Sequence, residues 1–191
     1  MNIQHYNYCL IIDLEATCCD QHTILRSEME IIEIGAVMVE TKKLTSVNEF
    51  QTFIKPIRHP ILTKFCQQLT SITQAQVEQA PHYPEAIKNL KNWLSQYSDS
   101  HLIWGSWGDY DRRQFDQDSQ FHHVSFPIGY PHINLKKMFS TSQGLKGRYG
   151  MADALKLANI PLEGTHHRGI DDTRNIAKLM PYILGVKKLE H

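Results

Sequence analysis

No apolar run in this chain approaches the roughly 20 residues that would cross a bilayer as a helix, and the start, MNIQHYNY, lacks a basic segment followed by a long apolar one. A cytoplasmic protein is therefore expected, with no membrane partner. The four cysteines, Cys9, Cys18, Cys19 and Cys66, show no CxxC spacing and no zinc pattern, so reduced thiols are expected. Net charge is absent too: 20 basic residues balance 20 acidic ones. That excludes a protein that coats nucleic acid by bulk electrostatics and leaves room for a local patch. The stretch Asn134 to Arg148 carries Lys136, Lys137, Lys146 and Arg148 and no acid, and reads as a solvated loop or such a patch. Internal repeats, low-complexity tracts and linkers are also missing. At 191 residues, one domain with a full-sized core is expected over residues 1–188. Leu189-Glu190-His191 looks like the start of a vector-encoded histidine tag.

What is present begins with strands. YCLIID reads as a buried strand, Glu30 to Glu40 as a second, and VNEFQTFIKP as a third, ended by Pro56. Helical segments follow around Leu62 to Leu69, Thr73 to Gln79 with Thr73 as cap, and Tyr83 to Tyr97, where Ile87, Leu90 and Leu94 recur at helical spacing. HLIWGSW is another short strand, with a polar helix from about Tyr110; the end is helical over Met151 to Ala158 and Gly169 to Leu184. Three strands followed by alternating helices and a strand predict an α/β sandwich with a mixed sheet.

The chemistry starts at LIIDLEATCCD. Asp13 and Glu15 are two apart on a strand, so their side chains point to the same side of the sheet. Two carboxylates that close repel, and both stay ionised near neutral pH only with a cation between them. Oxygen ligands alone favour Mg²⁺ or Mn²⁺. DxE by itself also describes two solvated acids, so partners decide. WGSWGDYDRRQF brings Asp109 and Asp111 to a helix start, and HHRGIDDTRNIAKL brings His166, His167, Asp171 and Asp172 to another. Four carboxylates from three segments plus a histidine describe a two-metal phosphoryl-transfer site, with ions about 4 Å apart and the histidine taking a proton from water.

On the segments IIDLEATC, EIIEIGAV, FCQQLTSITQAQV, WGSWGDYD and HHRGIDDTRNIAKL, which span Tyr8 to Leu184, the chain resembles the histidine variety of the DEDD 3′→5′ exonuclease superfamily, in its Eri-type, 3′ histone-mRNA exonuclease-like branch. The resemblance implies a ribonuclease-H-like exonuclease fold, an α/β domain with a mixed five-stranded sheet and helices on both faces. It implies two divalent metals, Mg²⁺ or Mn²⁺, and release of nucleoside 5′-monophosphates from single-stranded 3′ ends, RNA before DNA. The alternatives are a DNA-directed exonuclease, a phosphodiesterase for small nucleotides and a catalytically dead nucleic-acid-binding module.

Two histidines and two aspartates leave two five-residue pairings near the C-terminus. At roughly 100° per residue, Ile170, Ala177, Leu184, Met180, Ile176 and Ile183 form one apolar arc; Asp172 lies roughly 20° beyond its Ile183 edge and Asp171 roughly 100° beyond its Ile170 edge. The family pattern H-x-G-x-D-D also fits the second pair. His167 and Asp172 are thus the expected pair, with His166 a loop neighbour. The family match selects Asp111 as the metal aspartate, leaving Asp109 as a turn or capping acid. By resemblance Asp13 bridges both ions, Glu15 and Asp172 complete the water-activating one, Asp111 holds the other, and His167 is the general base. Leu14, Ala16 and Thr17 are expected at the terminal nucleotide. Trp107 or Tyr110 is a candidate base-stacking ring, Arg112 and Arg113 read as a solvated helix face, and Cys18 and Cys19 are not expected to act as nucleophiles. Ser71, in LTSITQ, stands where the commoner family form has glycine.

Overall fold

The computed structural model describes residues 3–21 and 23–190, so Met1, Asn2, His22 and His191, the last residue of the expected tag remnant, lie outside the described residues. Strand β1 (Tyr8–Ala16) runs past the expected YCLIID and carries Asp13 and Glu15 within it. With β2 (Ile31–Glu40) and β3 (Thr45–Phe53) it forms an antiparallel meander. Helices α1 (Lys64–Thr70), α2 (Gln74–Glu78) and α3 (Tyr83–Leu94) lead to β4 (Leu102–Ser106), which joins β1 in parallel. Next come α4 (Tyr110–Phe121), β5 (His132–Asn134), α5 (Leu135–Ser142), α6 (Met151–Leu157), α7 (Gly169–Lys178) and α8 (Met180–Ile183). The sheet order is β3-β2-β1-β4-β5, so the expected mixed five-stranded α/β architecture is present.

Strand alternation separates two cores. Leu10, Ile12 and Leu14 face α3 and α4. Cys9 and Ile11 face α5 to α8, and Asp13 and Glu15 continue that series. The acids therefore stand on the side where α7 packs, at the point where the register of β1 against β2 slips between Glu15 and Ala16. The extra residue there is Ile32, so it is β2 that bends at this point.

Local chemistry explains the helix limits. Thr73 caps α2 as expected, with Gln76 reciprocating in a capping box. Ser71 closes α1 at φ 58°, a left-handed conformation that costs glycine least. Two expectations fail. The stretch 134–148 is not all loop: Asn134 accepts from the Lys137 amide at 2.9 Å and caps α5. The single helix from Gly169 to Leu184 is broken at Leu179, because Pro181 in the first turn of α8 has no N–H and its ring clashes with the carbonyl four residues earlier. At the far end Leu189 packs against the core and its amide donates to Gln143 at 3.0 Å. Among the described residues, no helix is long and apolar enough to cross a membrane.

Candidate active site

Three carboxylates from two elements converge. Asp13 and Glu15 on β1 and Asp172 on α7 each offer a ligand oxygen within 4.8 Å of the others. Asp111, in the first turn of α4, is buried beside them and accepts from the Leu14 amide at 3.1 Å. That bond ties α4 to the residue between the two β1 acids. The spacing of two on a strand and the edge of the apolar arc on α7 deliver the side chains that the sequence pattern singles out.

The charges are held against their own repulsion. Burial, then Asp111, then Glu15 and Asp172 raise Asp13 well above the usual carboxylate range. Burial and Asp172 push Glu15 up to about 9. Burial pushes Asp111 up to about 6, opposed by hydrogen bonds and by the Lys136 charge. Burial also raises Asp172, opposed by His166. Such a set is unfavourable when ionised and unpaired, and becomes favourable with divalent cations among the oxygens. The donors are all oxygen, which suits hard ions such as Mg²⁺ or Mn²⁺ rather than thiolate-seeking metals. The residues fit a metal centre on that ground.

A pH dependence of stability follows. Glu15 keeps its proton in the fold up to about 9, against an ordinary 4.5. A raised carboxyl lends stability below its unfolded value and loses it as pH climbs through the folded value. The histidines His122, His132 and His167 shift downward, so above about pH 7 they are neutral in both states. In chelator, Tm should therefore fall between pH 7 and 9, and Mg²⁺ should remove most of that fall by binding the ionised cluster. Thermal unfolding at several pH values with and without Mg²⁺ checks this; a flat profile in chelator refutes a repulsive cluster.

The two histidines divide their contacts with Asp172. The His167 amide donates to Asp172 Oδ2 at 3.1 Å, and His167 adopts φ 64°, a left-handed conformation that this anchor holds. The His166 ring, expected as a bystander, places Nδ1 3.1 Å from Asp172 Oδ2 and stacks on the His167 ring at 4.0 Å. Burial, then the neighbouring His166, lower the His167 pKa. Asp171 accepts from the Thr165 amide and pairs with Arg174, away from the carboxylate cluster. Asp109 makes no side-chain cap bond; its Oδ2 accepts from Asn134 at 3.0 Å, linking α4 to the cap of α5.

Leu14, Ala16 and Thr17 are buried, and the Thr17 hydroxyl accepts from the Glu30 amide at 2.9 Å. The Trp107 indole donates to the Tyr149 carbonyl at 3.0 Å and packs 5.8 Å from Phe139, which commits it to the core. Cys18 shares a hydrogen bond with Cys66, and Cys19 accepts from the Ile24 amide at 3.1 Å.

The sequence reading missed Glu33. It stands directly opposite Glu15 across β1 and β2 and is fully buried. Like charges so placed repel. Arg168 answers with Nε at 3.1 Å, the Gly169 amide donates at 3.1 Å and Gln51 Nε2 at 2.5 Å. Glu33 therefore fixes the start of α7, the helix that carries Asp172. It lies inside EIIEIGAV, but nothing local in that segment distinguishes a charged anchor from the solvent-facing acid of an alternating strand.

Comparison with known proteins agrees with this geometry. The exonuclease family profile matches residues 10–180. The chain is 32% identical over 184 residues to ERI1 exoribonuclease 3 of Mus musculus, covering 93% of this chain and 53% of that protein. It is 30% identical over 184 residues to 3′-5′ exoribonuclease 1 of Homo sapiens, covering 92% of this chain and 52% of that one. The chain thus spans about half the length of these curated relatives. Among solved structures it superposes on the nuclease domain of 3′hExo, a DEDDh family member bound to rAMP, with a TM-score of 0.83, 27% identity and coverage of 93% and 91% of the two chains. A histone mRNA stem-loop complex of 3′-exonuclease gives a TM-score of 0.87 at 25% identity, with coverage of 95% and 65%. With a family match over nearly the whole chain and this fold beneath it, the chain belongs to the exonuclease family, in its Eri-type DEDDh branch.

Proposed function

We propose that this chain is a metal-dependent 3′→5′ exonuclease that removes nucleoside 5′-monophosphates from single-stranded 3′ ends, of RNA in preference to DNA. The observation that carries the reading is the cluster of Asp13, Glu15 and Asp172 oxygens within 4.8 Å of one another. The likeness to relatives named exoribonucleases supports RNA. Asp13, Glu15, Asp111 and Asp172 would hold two divalent ions, Mg²⁺ or Mn²⁺. Bound there, they supply Lewis-acid polarisation of the phosphodiester and a water activated for attack.

The remaining work falls to the chain itself. His167 is neutral at working pH because burial and His166 both disfavour its charge, so it can accept the proton of the attacking water. Asp172 holds its backbone in place. Leu14, Ala16 and Thr17 would present the backbone against which the terminal nucleotide is positioned. His166 is the rival base, because its ring rather than that of His167 meets Asp172.

Paired substitutions separate the two histidines. His167→Ala should lower kcat about 10²- to 10⁴-fold, the usual worth of a positioned base, and His166→Ala less than about tenfold. The reverse order would move the role to His166. The reading as a whole is tested with end-labelled RNA and DNA oligomers of one sequence in Mg²⁺, Mn²⁺ and chelator. Ladders shortening from the 3′ end, metal-dependent and faster on RNA, are expected. Faster DNA cleavage would change the substrate class, and no cleavage in any metal would leave a binding module.

A further inference from the structure

On the β5 edge of the sheet, lined by Asp109 and Arg112 from either side of Asp111 in the chain, lies a cleft of about 1040 Å³. That is at the upper end of sites for single small molecules, which run to roughly 1,000 Å³. Arg112 of α4, Lys137 of α5 and Arg148 of the loop before α6 line it. Among the described residues, none of these three cations is ion-paired, whereas Arg168, Arg174, Lys43 and Lys178 each meet a carboxylate. The cleft's only acid, Asp109, is occupied by Asn134. In a chain of formal net charge zero, this is a local surplus of positive charge with no ion-pair partner among the described residues.

The cleft touches the site through two elements. Arg112 follows Asp111 on α4, and Asn134, the cap of α5, donates to Asp109 at 3.0 Å. The capped start of α5 therefore stands beside α4 and carries Lys137 into the cleft. Ile133 and Met138 give the cleft an apolar wall on which bases can rest. Arg112 and His132 are shared with an adjoining hollow of about 450 Å³, where Phe126 and Tyr130 add aromatic faces. Arg113 lines that hollow too; both arginines lie on the exposed face of α4, as expected, and that face borders the hollow.

We propose that this cleft holds the stretch of single-stranded RNA upstream of the scissile nucleotide. Arg112, Lys137 and Arg148 take backbone phosphates, and the Tyr130 hollow takes a stacked base. The inference rests on the exoribonuclease reading and adds a site to it. Cation contacts of this kind bind without base readout and are salt-dependent, with a slope of about 0.7 per phosphate on single strands.

The test compares the wild type with Lys137→Ala/Arg148→Ala on RNA of two and of eight nucleotides, at several salt concentrations. Wild-type kcat/KM should rise at least about tenfold from the short to the long substrate, since each phosphate contact adds affinity. The double variant should lose about tenfold on the eight-mer, with a salt slope shallower by about one to two, and nothing on the dinucleotide. Equal loss on both lengths, or no loss on the eight-mer, overturns the track. Fluorescence anisotropy of a 3′-blocked eight-mer in chelator reads the track without hydrolysis. If the wild type cleaves nothing but binds the blocked eight-mer and the double variant does not, the nuclease reading fails and the track stands. Tighter binding of a duplex of equal length overturns the single-strand assignment.

Discussion

Asp13→Asn should lower hydrolysis by roughly 10³-fold or more and, in the same protein, raise the Tm of the metal-free form. The first effect follows from position. Asp13 is opposed by Asp111, Glu15 and Asp172 together and offers an oxygen within 4.8 Å of those of Glu15 and Asp172, so it sits within the cluster. An amide there keeps the shape and removes a charge that would help hold the two cations. About 10³ in rate corresponds to roughly 4 kcal/mol of transition-state stabilisation, which is within what metal ions supply. The second effect has the opposite sign, because in chelator the same charge is a liability. Replacing it removes an acid that Asp111, Glu15 and Asp172 all oppose. For a domain of this size each kcal/mol relieved adds about 2–4 °C. The pair of signs is diagnostic: a merely structural Asp13 would give lower activity with lower Tm, and a bystander would change neither. Steady-state kinetics with Mg²⁺ and thermal unfolding in chelator decide between them. Mg²⁺ should also stabilise the wild type more than the variant.

The parts of this site that a sequence can reveal are those fixed by local periodicity. A spacing of two on β1 sends Asp13 and Glu15 the same way, and the helical arc on α7 puts Asp172, 5% exposed, at the packed edge while Asp171 pairs outward with Arg174. What stayed hidden depends on contacts distant in sequence. Glu33 looks like any alternating acid until Arg168, 135 residues away, is brought to it. Asp109 looks like a helix cap until Asn134 claims its carboxylate. Strand β5 has three residues, too few for any period to show, and without it the basic stretch that follows reads as loop rather than as the capped helix α5. The contact of the His166 ring with Asp172 was equally invisible, because it is set by the left-handed turn at His167 rather than by spacing. The break at Leu179 differs from these: Pro181 is plain in the sequence, and the continuous apolar arc outweighed it.

Gly35→Ala should cost more than a methyl group added at any other glycine of the described residues. Helix α7 crosses the sheet where β2 has Gly35, and the two backbones nearly touch. A Cβ at Gly35 would lie 2.1 Å from the Gly169 carbonyl carbon and 2.2 Å from the Ile170 nitrogen. A Cβ at Gly169 would in turn lie 2.9 Å from the Asp13 carbonyl oxygen. Backbone cannot rotate out of the way as a side chain can, so α7 must lift or β2 must bend. Overpacking of well-filled interiors typically costs 1–3 kcal/mol; with only backbone to yield, about 3 kcal/mol or more is expected here, or roughly 6–12 °C in Tm. The functional loss should exceed what that instability explains. Lifting the start of α7 draws Asp172 and His167 away from Asp13 and strains the Glu33 bond to the Gly169 amide. A misplacement of about 1 Å at a catalytic group costs on the order of 10²-fold. Measured well below its Tm, the variant should therefore remain folded by circular dichroism and still show kcat down about 10²-fold. Gly129→Ala, whose Cβ would meet nothing within 4 Å, is the matched control and should change neither quantity. Wild-type activity in a folded Gly35→Ala protein would mean that α7 can shift without disturbing the carboxylates, and that the close glycine contact serves packing alone.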